Sequence, residues 1–429
     1  MVSQKSFRLI LLGLAGVAVL AVGLAFQRSA GAFSLLDGLD ISVVFSPSPT
    51  PAPSAWTFQD KIAEAKQMLA GMTLKVGTAN ISYVENRISS TGSISKKTIK
   101  DPEREIALAA LNTETGEISI FKITKRGAEL IAPSDWQITI ISRVNGINWN
   151  AWNTSYRVEY PENNVIIANL YPDEKNKTMS RVVKGKRSYY VSQTIDYKFY
   201  SPYSPDLHKP ELINAGKRYI RDMVAQALSE LQQSATGSIS IPGSSVHDVW
   251  KDKAEYFARI PLLEQSDLTE FILDPDTTVD RIYTLIGANG SGAFAGTCNS
   301  SSACGWVQFT PGTYKMIVKT YPSAGLMKDF LAGAADHENS IKAAILLYDY
   351  NLKGLIKSNG QKVLQDPRLE EYLAASYNGS PNRTTKSLAA SIFHAVEDWI
   401  DALTSKKGGL ANETRGYLVK LRYLQEHSS

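Results

Sequence analysis

The chain has 429 residues, 43% of them apolar and 21% charged, enough for two domains and a tail with a sizeable core. Its formal net charge of +4 is spread along the sequence, with no Lys/Arg block. That excludes a dedicated nucleic-acid binder while permitting a mild preference for anionic partners such as a wall polymer. No GxxxxGK[ST] phosphate loop, HExxH helix or GxSxG elbow occurs.

Lys5 and Arg8 precede "LILLGLAGVAVLAVGLAF", residues 9–26, a run of 18 apolar or glycine residues. A run of about 17–25 such residues spans a bilayer. The reading for residues 1–32 is an uncleaved N-terminal membrane helix, with cleavage near Ala32 in "AGA" as the alternative. The positive flank stays inside, so the bulk of the chain is expected outside the cell membrane as a single-pass protein, or secreted if cleaved. Residues 33–56 carry "SPSPTPAPSA", an extended, Pro-rich linker.

Residues 57–235 read as a β-rich middle domain. It opens with a helix whose Ile62, Ala65, Leu69 and Met72 share one side, and the period then changes to two. "EIALAALNTETGEISIFKIT" (105–124), "WQITIISRV" (136–144), "SYRVEYPENNVIIANLY" (155–171) and "SYYVSQTIDYKFY" (188–200) read as antiparallel strands, with Asn163 and Asn164 in a turn. The tyrosines here are ordinary strand residues or, alternatively, platforms for sugar rings. The domain closes on an amphipathic helix over 211–235, with Ile213, Ile220, Val224, Leu228 and Leu231 at helical spacing. Residues 236–273 read as linker and connecting helices.

The remainder, 274–429, is helical in pattern. Cys298 and Cys304 in "CNSSSAC" suit a short disulfide loop in an exported protein, worth about 2 kcal/mol by loop entropy. No histidine lies near them and zinc needs about four ligands, so no metal is expected, and no cofactor. In "GWVQFTPGTY" (305–314) Thr310 and Pro311 are suited to start a helix. "LEEYLAASYNGSPNR" (369–383) ends a helix on Tyr377, Asn378 and a glycine, and "NETRGYLVKLRYL" (412–424) closes the chain.

In order and spacing, Gly305-Trp-Val-Gln308, Asp336-x-x-Asn-Ser-Ile341, Ala375-Ser-Tyr-Asn-Gly379 and Glu413-Thr-Arg-x-Tyr417 resemble the successive motifs of the soluble lytic transglycosylase domain. The resemblance covers about residues 274–426, a third of the chain. It implies an all-α, lysozyme-like C-terminal domain, and with it an α+β chain overall. It also implies cleavage of the β-1,4 bond between N-acetylmuramic acid and N-acetylglucosamine in peptidoglycan. One Glu there serves as acid and then as base, unlike the usual carboxylate pair of glycosidases.

In the family that Glu stands about 18 residues before the motif glutamine, which from Gln308 lands on Gly290. Ser291 and Phe294 keep the flanking pattern, but the expected acid is a glycine. Glu413 is the fallback acid, with Asp280 and Glu371 as lesser substitutes. Ser291, Gln308, Tyr377 and Asn378 are the expected sugar-binding residues, and the Cys298–Cys304 loop the rim. Two readings follow for a cell-envelope protein acting on peptidoglycan: a transglycosylase with a relocated acid, or a domain that grips glycan without cutting it. The missing acid favours the second. A scaffold for other envelope proteins is a third.

Overall fold

The computed structural model describes residues 56–88, 94–126, 129–141, 151–183, 186–394 and 398–427. Eight strands come first. They are β1 (Val76–Ile88), β2 (Ile94–Asn112), β3 (Ile118–Arg126), β4 (Glu129–Ile131), β5 (Gln137–Ile140), β6 (Tyr156–Tyr160), β7 (Asn164–Val183) and β8 (Lys186–Tyr200). The main sheet runs β4-β3-β2-β7-β8, with β1 paired to the N-terminal half of β2, and every pairing is antiparallel. β5 and β6 form a separate ribbon. Asn163, at φ +60°, makes the expected turn into β7.

Period two explains how β2 is buried on both faces. Ala107, Ala109 and Leu111 pack under helix α1 (Phe58–Leu69), against Phe58, Ile62, Ala65 and Leu69. Ile106, Leu108 and Ala110 face the other way, onto Tyr156, Ile166 and Tyr171. Thr57 caps α1, its hydroxyl accepting from the Asp60 N–H at 3.0 Å.

Helices supply the rest: α2 (Pro210–Gln233), α3 (Val246–Trp250), α4 (Ala254–Ala258), α5 (Ile260–Glu264), α6 (Leu268–Leu273), α7 (Pro275–Asn289), α8 (Pro311–Thr320), α9 (Phe330–Ala335), α10 (His337–Asn359), α11 (Leu369–Asn378), α12 (Pro381–His394) and α13 (Asn412–His427). α2 stitches the halves together. Its Leu212 belongs to the cluster under the sheet, while Ile220, Val224, Leu228 and Leu231 belong to the helical core. Where α2 crosses α7 the backbones touch. A β-carbon on Gly216 would lie 2.0 Å from the Tyr283 carbonyl oxygen, and one on Gly287 2.0 Å from that of Leu212.

Two expectations change. Mixed helix and antiparallel sheet make the chain α+β, but the membrane helix drops out of the fold class. Among the described residues no helix is long and apolar enough to cross a membrane, and residues 9–26 lie outside them. The β-rich and helical parts also form one compact unit, Ser54–Ser429. Residues 236–273, read as linker and connecting helices, bury Trp250, Phe257, Ile260, Leu262, Leu263 and Phe271 in the helical core. The Ser-rich stretch before them is pinned by the buried Asp349 of α10. That carboxylate accepts from the hydroxyls of Ser238 (2.6 Å), Ser240 (2.7 Å) and Tyr321 (2.7 Å) and from the Ile239 N–H (2.9 Å). Hydroxyls that read as linker composition are the donors a buried carboxylate requires.

Candidate active site

A cavity of about 440 Å³ opens between the sheet side and the helical core. Among the described residues two acids line it, Asp267 and Glu264, the latter the last residue of α5. Ile260 and Leu263 of that short helix are sunk in the core, which leaves Glu264 on the cavity wall, partly accessible. The turn that follows is held from two sides. The Lys420 ammonium, on α13, donates to the Leu263 and Ser266 carbonyls at 2.5 and 2.8 Å. The Gln265 amide donates to the carbonyls of Gly305 (3.2 Å) and Trp306 (2.9 Å), tying the turn to the "GWVQ" segment.

Burial raises the Glu264 carboxyl to about 7, the Tyr417 hydroxyl and the Lys420 ammonium oppose the rise, and Glu413 adds to it. Burial likewise lowers Lys420 to about 8. The Tyr417 hydroxyl lies beside the carboxyl without a partner at full hydrogen-bond geometry among the described residues. Burial holds Tyr417, Tyr377 and Tyr348 well above the ordinary phenol range, and the charge at Glu264 contributes to each. All three therefore remain neutral hydroxyls. Burial thus favours the protonated form of this carboxyl, which sits among neutral phenols, as general acid catalysis requires.

Asp267 lines the same cavity but is occupied as the cap of α6, accepting from the N–H groups of Thr269 (2.8 Å) and Glu270 (3.2 Å). Among the described residues no group of three His, Cys, Asp or Glu is placed to hold a metal ion.

Of the residues expected from sequence, Gln308 lines the cavity. Its backbone has φ +51°, and its side-chain amide closes the turn by donating to the Gly305 carbonyl at 2.7 Å. Thr310 caps α8 with Pro311 in its first turn. Trp306 is buried, stacked on His337 with ring centres 4.0 Å apart, and donates to Ser340 Oγ at 2.6 Å. The Tyr377 hydroxyl donates to the Val307 carbonyl at 2.6 Å, so it locks the glutamine turn from behind instead of facing the cavity. Asn378 ends α11 outside the cavity lining, its side-chain oxygen buried without a partner among the described residues. The Cys298–Cys304 bond is formed, and Cys298, Thr297 and Asn299 edge the cavity.

The expected catalytic turn lies elsewhere. Neither Gly290 nor Ser291 lines the cavity, and Ser291 is exposed. Gly290 ends α7 with φ +52° and ψ −128°, a conformation that only glycine adopts without strain. The glycine at 290 thus suits the backbone conformation that ends α7. The substitutes fare no better. Glu371 is buried in a structural network, accepting from Trp399 Nε1 (2.7 Å) and from Arg422 (2.9 and 3.0 Å). Asp280 faces His208 at 3.5 Å outside the cavity. Glu413, in the first turn of α13, is exposed and acts on Glu264 only through its charge.

Glu264 was not singled out from the sequence because the resemblance points to an acid about 18 residues before Gln308. Glu264 stands 44 residues before it, with α6 and α7 between. The available signal was "IPLLEQS", an apolar helical turn ending on an acid. Also missed was the sheet-side wall of Trp152, Asn153, Tyr200 and Tyr203, outside the stretch that carries the resemblance.

In comparisons with known proteins, no family model, no curated protein and no solved structure matches the chain. The transglycosylase resemblance therefore rests on its motifs alone.

Proposed function

We propose that the cleft cleaves peptidoglycan glycan strands, with Glu264 as the acid and base. The observation that carries this reading is a single carboxyl raised to about 7 in an aromatic-walled cavity beside the motif glutamine. Protonated Glu264 gives its proton to the glycosidic oxygen as the C1–O bond breaks. The resulting carboxylate then takes the proton of the sugar's own 6-hydroxyl, whose oxygen bonds to C1 and closes a 1,6-anhydro ring. One carboxyl serves both steps and is returned protonated, so Asp267 need not leave its capping role. Lys420 keeps the Glu264 turn in place, and its charge keeps the carboxylate accessible between the two steps. Gln308, fixed by its own turn, offers its remaining amide atoms to the substrate.

The reading that this chain grips glycan without cutting rested on a missing acid, and a protonatable carboxyl at 264 on the cavity wall weakens that reason. The test is to incubate the intact chain with purified peptidoglycan and measure 1,6-anhydromuropeptides by mass spectrometry. They are expected from the unaltered protein, and reduced about 10²–10⁴-fold by Glu264→Gln. Gly290→Glu is expected to add no activity. Absence of anhydro products while the protein still sediments with the wall would return the account to binding alone.

A further inference from the structure

The β-rich half furnishes one wall of the cavity that holds Glu264. Trp152 meets Tyr200 edge-on, ring centres 4.5 Å apart, and the Lys198 ammonium lies 5.5 Å from the centre of the Trp152 ring. Lys198 has three N–H donors, and its ion pair with Asp173 Oδ2 (2.9 Å) sets its position. A β-carbon on Gly296 would lie only 3.8 Å from the same ammonium. Lys198 therefore reaches from the end of β8 to the loop bearing Thr297 and Cys298, both at the cavity edge.

Resting on the glycan-cleaving reading, we propose that Trp152 and Lys198 together determine which glycan the cleft accepts. The indole packs on the C–H face of a sugar ring, and the ammonium binds a carboxylate carried by that sugar. The pair selects acidic strands over neutral strands of the same linkage. The β-rich half is then a working part of the cleft, not an appendage. An aromatic ring gives area at low conformational cost, and a hydrogen bond to a charged group is stronger than a neutral one.

The experiment uses glycan strands freed of their stem peptides, whose muramic carboxylates are free. It compares these native strands with the same strands after those carboxylates are converted to amides, using the intact chain. The unaltered protein is expected to show KM about tenfold lower for native strands, the size of one charge-assisted hydrogen bond. Lys198→Met should bring the two KM values together and change kcat less than twofold. Trp152→Phe, which keeps a ring in the wall, should raise KM several-fold for both substrates. The proposal is overturned if the unaltered protein does not discriminate, or if Lys198→Met discriminates as before. If the unaltered protein cuts neither substrate, the cleavage reading fails by itself. Co-sedimentation with native and amidated strands then reads the same ratio as a difference in Kd, and equal Kd values overturn the selection proposal too.

Discussion

Replacing Glu264 by Gln should stabilise this protein against unfolding at pH 8 relative to pH 4.5, and the size follows from the site. Free in an unfolded chain the carboxyl titrates near 4.5, and in the folded protein near 7. Between those values the folded state binds the extra proton. The protonated carboxyl's contribution is fully present below pH 4.5 and is lost as pH rises through 7. A separation of about 2.5 pH units at about 1.4 kcal/mol each corresponds to about 3 kcal/mol, somewhat less because Glu264 keeps contact with the cavity. Gln cannot ionise and escapes the loss. Urea unfolding of both proteins at half-unit steps from pH 4.5 to 8.5 measures the difference. The stability of the variant relative to the parent should climb by about 2–3 kcal/mol up to pH 7 and then level off. A difference independent of pH would mean that the carboxyl ionises like any surface acid, and the catalytic assignment would lose its basis.

Other consequences are equally concrete. Lys420→Met removes two hydrogen bonds from the turn and a charge that opposes the rise at Glu264. The pH–rate profile should shift to higher pH and kcat should fall at least tenfold, with KM little changed. Gly287→Ala forces a β-carbon against the Leu212 carbonyl and should cost about 1–3 kcal/mol or more in urea unfolding. Replacing both cysteines by Ser should cost about 2 kcal/mol, measured the same way against the oxidised parent. His337 is held down to about 4 by burial, so its contribution is present above about pH 6.5 and lost as pH falls through 4. In the Glu264→Gln background, where the opposing carboxyl is gone, stability should decline on acidification through that window.

What was legible in the sequence were patterns that a single element satisfies by itself. The strand reading of "EIALAALN" and the helix start at Thr310 with Pro311 match the structure, because those signals depend on local geometry. Burial of that strand on both faces follows instead from its neighbours. α10 shows the limit. Its Ile341, Ala344, Ile345, Tyr348 and Leu352 lie at helical spacing on one face, yet Ala343, Leu346, Leu347, Asn351 and Asp349 are buried as well. Neighbouring elements, α2 and α11 among them, pack around it, which no window along one helix reveals. The site failed for a related reason. Glu264 is raised by burial beside a cavity that the sheet completes, and Tyr417 and Lys420, which temper that rise, come from more than 150 residues away. Counting along the chain cannot register helices inserted between two residues that meet in space. The glycine in the expected place drew attention because its composition looked like a deletion, whereas its dihedral angles show a helix terminus.

The most direct measurement is the pH dependence of anhydro-product formation by the intact chain and by its Glu264→Gln variant on purified glycan strands. The account predicts turnover that falls above an apparent pKa near 7, and a variant reduced at least a hundredfold at every pH. Turnover that persists in the variant, or that is already lost above pH 5 in the parent, would contradict it.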